Sequence, residues 1–212
     1  MGALVHVDQE ATSRLAKLGL KLEWISRALL RGDAESRTVS LLAPKGFEGT
    51  TRWGRVAEYF REDLCGRGWT PDDFQNVARS ISPDGETCVV VTTGSKGTGL
   101  EGANPTTKYP KGAGMAAGVE QNYMLDFAPE DMKALGMTST ESTSMRTWLL
   151  MFMSEGNKIY NELSLPEVMS EDGHIASWRE RIIMPAIDLG PDGFTAGNSA
   201  GPDPVVVPVS RR

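Results

Sequence analysis

Apolar residues recur at helical spacing through the first part of the chain. Between residues 9 and 31 they lie three or four positions apart, and charged side chains occupy most of the positions between them. The apolar positions of this segment are Ala11, Leu15, Leu18, Leu22, Ile25 and Leu29. This pattern is typical of an amphipathic helix, and Gly32 stands where a helix commonly ends. We expect one helix near residues 9–31 that packs on the core, or one that also pairs with a partner.

A second amphipathic pattern covers residues 51–66. Arg and Glu occupy its outer faces, and Gly66 and Gly68 end it. Its apolar face carries Trp53, Val56, Ala57, Phe60 and Leu64. We therefore expect a second helix, with Trp53 in the core. The loop before this helix is built around Pro44, Gly46 and Gly49.

From residue 76 onward the pattern changes to that of β-strands. Residues 76–93 predict two strands joined by a turn at 83–85, and the second of them is apolar on both faces. The apolar runs 145–153 and 158–165 flank a turn at 154–157 and predict a hairpin. Residues 174–187 fit either a strand or a helix, and Pro129 opens a predicted short helix that ends at Leu135.

These elements predict an α+β fold. We expect a mostly antiparallel sheet that includes residues 87–93, 145–153 and 158–165, packed against the two amphipathic helices. Residues 1–189 are expected to form a single domain, and residues 190–212, rich in Gly and Pro, a flexible tail. The apolar end of that tail is expected to be disordered or to add a strand to a sheet edge.

Charge and composition narrow the possible partners. The chain has 212 residues, a formal charge of −6 and a pI near 5.1, which argues against general binding to nucleic acid or to an acidic membrane. Two Cys and two His are scattered without the spacing of metal ligands, so we expect no metal and no cofactor. The first residues lack the features of a signal peptide, and no stretch is apolar enough to span a membrane, so we expect a cytoplasmic protein.

Residues 92–118 form a segment with seven glycines and three lysines, directly after the predicted central strand. Gly-rich backbone and lysines can together bind phosphate, which makes Lys96, Gly97, Gly99, Lys108 and Lys111 candidate anion-binding residues. The spacing of Gly97, Gly99 and Gly102 matches a dinucleotide motif, but Asn104 and Pro105 prevent the helix that this motif requires. The segment is most typical of a long flexible or Ω-like loop without a ligand, and the alternatives are an anion or nucleotide site and a protein-contact loop.

The sequence contains no recognisable catalytic set. It therefore favours a non-catalytic protein-interaction or accessory module that binds a protein partner or a second copy of itself. Leu15, Leu22 and Ile25 would make the contact if the first helix is only partly buried. The alternative is a nucleotide- or phosphate-binding enzyme that uses residues 94–118, in which Glu120 or Asp126 holds magnesium or activates water.

Several short strings along the chain resemble actinobacterial proteins of unknown function that are carried on mobile or phage-related elements. The strings are RALLRGDAESR, TRWGR, SPDG before an apolar strand, TGSKGTG, TKYPKG, ELSLP and WRERI, and they lie within residues 27–189. No activity, cofactor or catalytic residue is assigned to that group. The resemblance therefore implies an accessory protein rather than a metabolic enzyme.

Overall fold

A computed structural model of the chain describes residues 2–126 and 144–190. Within them the chain forms four α-helices and a seven-stranded sheet, so the predicted α+β class is confirmed. The helices are α1 (Asp8–Lys17), α2 (Leu22–Ser36), α3 (Phe47–Cys65) and α4 (Ala113–Met124). The strands are β1 (Leu4–His6), β2 (Thr70–Asp72), β3 (Arg79–Ile81), β4 (Thr87–Thr93), β5 (Arg146–Glu155), β6 (Lys158–Met169) and β7 (Ile175–Asp188). The predicted helix at 129–135 and the tail beyond residue 190 lie outside the described residues.

The strands form one mixed sheet in the order β1-β7-β6-β5-β4-β3-β2. Most neighbours are antiparallel, as predicted, but β1 runs parallel to β7 and β4 runs parallel to β5. A parallel pair needs a long crossover connection. Residues 94–145 supply that connection between β4 and β5, and α4 forms part of it.

The predicted helix over residues 9–31 is two helices, α1 and α2. The chain breaks after Lys17 because Gly19 adopts a left-handed conformation, with φ of +71°, which glycine enters without steric cost. The amides of Leu18 and Leu20 both bond to the carbonyl of Leu15, which closes the end of α1. The break also turns Leu20 into the core.

The sheet is covered on both faces. The helices α1, α2 and α3 pack against one face, where residues such as Val89, Trp148 and Leu163 complete the larger core. On the other face α4 places Met115 and Val119 against a smaller core. Apolar residues on both sides of β4 and β5 explain why these strands show continuous apolar runs.

The three residues predicted to bind a partner belong to the larger core. Leu15 and Ile25 are only 1% and 0% exposed, and Leu22 is partly buried against the same cluster. Partner binding by these residues required the first helix to be only partly buried in the chain's own fold. Leu15 and Ile25 do not meet that condition. The reason is the sheet, which supplies the surface that this apolar stripe covers.

Neither cysteine forms a disulfide: Cys65 is an exposed thiol and Cys88 is buried beneath α4. Burial raises the pKa of the Cys88 thiol to about 11. Across residues 2–126 and 144–190, no helix combines the length and the apolar character needed to cross a bilayer.

Candidate functional site

The carboxyl end of β4 has an edge that β3 does not cover. The two strands pair from Cys88 to Val90, opposite Ile81 to Arg79, so β4 continues to Thr93 without β3 beside it. On its other side β4 lies parallel to β5. The carboxyl ends of parallel strands are a common place for ligands in sheets covered by helices.

A cavity of about 700 Å³ lies at this edge. Its floor is formed by residues 90–92 of β4, its two walls by residues 75–78 and 110–115, and Trp53 of α3 completes the lining. We call this cavity the main compartment. Its volume lies in the range of pockets that hold small organic molecules.

A second cavity of about 330 Å³ adjoins the first, and we call it the side compartment. The two cavities share Trp53, Thr92 and Lys111 in their linings. The remaining residues of the side compartment are Gly49, Thr50, Thr93, Lys108 and Tyr109. The three shared residues border both spaces, so the two cavities are immediate neighbours.

Lys111 is the cation at the junction of the two compartments. Its backbone amide donates to the carbonyl of Gly173 (2.7 Å), and its Nζ donates to Oγ1 of Thr92 (2.6 Å). Burial lowers the pKa of this amine. Among the described residues, no carboxylate lies within ion-pair distance of Lys111 to offset that burial.

Trp53 is fixed at one wall of the site. Its indole Nε1 donates to the carbonyl of Val91 (2.9 Å), which satisfies a backbone group at the uncovered edge of β4. The side chain remains 40% exposed, so the prediction that it lies in the core is wrong. The indole borders both compartments instead of packing under the sheet.

The opposite wall has an unusual backbone. Gln75 and Asn76 are consecutive left-handed residues, with φ of 51° and 61°, a conformation that costs a non-glycine residue free energy. This wall meets α4 at Gly114, where a Cβ would lie 2.9 Å from Cβ of Gln75. The close approach therefore requires glycine at that position, and it sets the position of Gln75 against α4.

The five predicted anion-binding residues do not lie together in the structure. Lys108 and Lys111 both line the side compartment. The backbone amide of Gly99 donates to Oε2 of Glu162 (2.8 Å), so it is unavailable to an anion and its predicted role is wrong. Lys96 is exposed and Gly97 is buried within the same turn of the loop.

Residues 94–107 are held on the sheet by a buried ion pair. The guanidinium of Arg181 bonds to the carboxylate of Glu162, and both side chains are almost fully buried. The same guanidinium donates to the carbonyls of Leu100 and Ala103. The first half of the Gly-rich segment thus binds a carboxylate of its own chain, and the second half leads to the cavity.

The acidic residues proposed for magnesium or water do not form a metal site. Asp126 forms ion pairs with Arg146 and Arg179, and Glu120 is exposed on α4. In the part of the chain that the structure describes, no group of three or more His, Cys, Asp or Glu side chains is arranged to hold a metal ion.

Four residues of the site were not identified from the sequence: Trp53, Gln75, Asn76 and Thr92. Trp53 continues the apolar stripe of Val56 and Phe60, so periodicity alone assigns it to the core. The other three belong to no recognisable motif. They line the cavity only because β3 stops pairing with β4 at Val90, which the local sequence does not indicate.

The chain matches no family model, no curated protein and no solved structure. The resemblance to proteins of mobile elements therefore stays a prediction.

Proposed function

We propose that the protein binds a small organic anion in the cavity at the carboxyl end of β4, with Lys111 as its cationic partner. The observation that supports this most is the position of the Lys111 amine, part-buried between two compartments with a hydroxyl group as its hydrogen-bond partner. An anion placed there would form the ion pair that the described residues do not supply.

The energetics of Lys111 support a ligand over a purely structural role. Removing an ammonium group from water costs free energy unless a carboxylate or another anion compensates. Elsewhere in the protein buried charges do have partners, as Arg181 has Glu162 and Asp33 has Arg52. A charge buried at a cost to stability is typical of a site that gains its partner on binding.

The test is a thermal-shift screen of small carboxylates and organic phosphates against the full chain. A ligand at a hundred times its dissociation constant stabilises the folded state by about 2.7 kcal/mol, which corresponds to a rise in Tm of roughly 5–10 °C for a chain of this size. We expect at least one anion to produce this shift, and Lys111→Met to abolish it.

The matched control is Lys96→Met, which removes an exposed lysine of the same Gly-rich segment. This variant should keep the full shift, because Lys96 lies outside the lining of both compartments. The proposal fails if no anion stabilises the protein, or if the shift survives in Lys111→Met.

A second candidate is the interaction module predicted from the sequence, which would now act through a different surface. Leu41 and Leu42, in the loop between α2 and α3, are 103% and 95% exposed, and Phe47, the first residue of α3, is about half exposed. Neighbouring apolar side chains in full contact with water favour a protein contact. Light scattering on the intact chain and on a variant of this loop tests that candidate.

A further inference from the structure

The two compartments differ in chemistry in a way that specifies the ligand further. The side compartment is lined by ammonium and hydroxyl groups: Lys108, Lys111, Tyr109, Thr50, Thr92 and Thr93. Among the residues that the structure describes, none in its lining carries a carboxylate. Two lysines match a group of charge near −2, and the hydroxyl groups of Thr92, Thr93 and Tyr109 can add donors to several of its oxygens, which is the requirement of a phosphate. The hydroxyl of Thr50 already donates to the carbonyl of Gly46 (3.3 Å).

The main compartment has the character of a site for a flat ring. Trp53 supplies an aromatic wall, and Val77, Ala78 and Met115 supply apolar surface. Flat rings such as nucleobases gain free energy by stacking on aromatic walls of this kind. A ring with no polar edge would nevertheless fit poorly, because two carboxamides also line the space.

Those carboxamides belong to Gln75 and Asn76. A carboxamide carries both a donor and an acceptor, so it can form a pair of hydrogen bonds with the edge of a heterocycle. Both residues are held in a left-handed backbone conformation that costs free energy. The fold thus maintains a strained wall whose polar side chains line an otherwise largely apolar space.

We infer that the ligand is a nucleoside monophosphate. Its base occupies the main compartment against Trp53, with its edge at Gln75 and Asn76. Its phosphate occupies the side compartment with Lys108 and Lys111. The sugar lies at the junction beside Thr92, which borders both spaces. This inference rests on the proposed function and makes it specific.

Calorimetric titration of the full chain with AMP, GMP, CMP and UMP tests the inference. We expect at least one of the four to bind at least tenfold more tightly than its own nucleoside, and at least tenfold more tightly than ribose 5-phosphate or inorganic phosphate. Binding of inorganic phosphate as tight as that of every nucleotide would overturn the assignment of the main compartment to a base.

Two variants separate the two halves of the ligand. Lys108→Met should lower the affinity for the nucleotide about tenfold and lower the affinity for its nucleoside much less, because it removes a contact to phosphate alone. Gln75→Ala should weaken nucleotide and nucleoside by a similar factor. Lys96→Met is the control and should change neither affinity, and unchanged melting temperatures establish that each variant is folded.

The outcome also distinguishes this inference from the proposed function. If none of the four nucleotides binds but a carboxylate or a simple organic phosphate binds in a Lys111-dependent way, the nucleotide is excluded and the anion site stands. If no anion of any kind binds, both are wrong. Nucleotide binding that is unchanged in both Lys108→Met and Gln75→Ala places the ligand elsewhere and also overturns the inference.

Discussion

At the scale of single residues, Lys111 makes the clearest prediction. We expect Lys111→Met to be more stable than the unaltered protein at neutral pH, because methionine fills the same space without a buried charge. A gain of about 1 kcal/mol would raise Tm by roughly 2–4 °C. Lys96→Met, at an exposed position, should leave Tm unchanged.

The pH dependence of this difference has a defined sign. Burial lowers the pKa of Lys111 in the folded state, so between the folded and unfolded pKa values the unfolded chain holds more protons. Stability then rises with pH across that window. The advantage of Lys111→Met should therefore be greatest below the folded pKa and shrink as the pH approaches 10.5, the unperturbed value for lysine. A variant less stable than the parent at every pH would show that the amine supports the fold.

At the scale of elements, the buried pair of Glu162 and Arg181 controls the loop before α4. Arg181→Met removes the partner of a buried carboxylate and two donors to the loop carbonyls. Leaving a buried charge unpaired costs about 3–5 kcal/mol, so Tm should fall by roughly 6–20 °C. Hydrogen exchange at the amide of Gly99, which donates to Glu162, should accelerate in the same variant.

The matched control at this scale is Arg27→Met. Arg27 pairs with Asp63 (3.0 Å) but is about half exposed, and exposed ion pairs contribute at most about 1 kcal/mol. The double variant Glu162→Leu with Arg181→Met should recover much of the lost stability, because it removes both buried charges. Equal losses in Arg27→Met and Arg181→Met would contradict the role given to the buried pair.

The sequence predicted the elements whose apolar residues have a clear period. The strand segments at 87–93, 145–153 and 158–165 and the helix near 51–66 are all present. The break at Gly19 was missed because Leu18 and Leu22 continue the helical stripe across it. Helix α4 was missed because it is rich in Ala and Gly and buries few apolar residues, of which Met115 and Val119 are the main ones.

The candidate site was harder to predict, for a reason visible in its residues. Lys108 and Lys111 were identified because lysines in a Gly-rich segment suggest an anion. Gly99 was assigned wrongly because the carboxylate that accepts its amide, Glu162, lies 63 residues away in sequence. Trp53 and Gln75 approach Lys111 only through tertiary packing, which no local pattern describes.

At the scale of the whole molecule, the loop between α2 and α3 is the surface on which we propose a contact between two copies of the chain. Leu41 and Leu42 are fully exposed and contribute nothing to the described core, so changing both to serine should alter folding stability by no more than about 0.5 kcal/mol. Burial of a leucine side chain in a contact is worth roughly 1.5–3 kcal/mol. If two copies of the chain meet through this loop, Leu41→Ser with Leu42→Ser should therefore weaken the dimer by at least tenfold.

The measurement is light scattering over a concentration series of the full chain. We expect the average mass of the unaltered protein to rise with concentration, and that of the double variant to stay at the monomer value of 23.0 kDa. Leu100→Ser is the control, because Leu100 is a leucine of another loop that is about half exposed and lies above Arg181. Two results would contradict a role of this surface in self-association: an unaltered chain that stays monomeric throughout the series, or a double variant that associates as its parent does. Neither result bears on the anion site at Lys111, which is tested independently by its ligands.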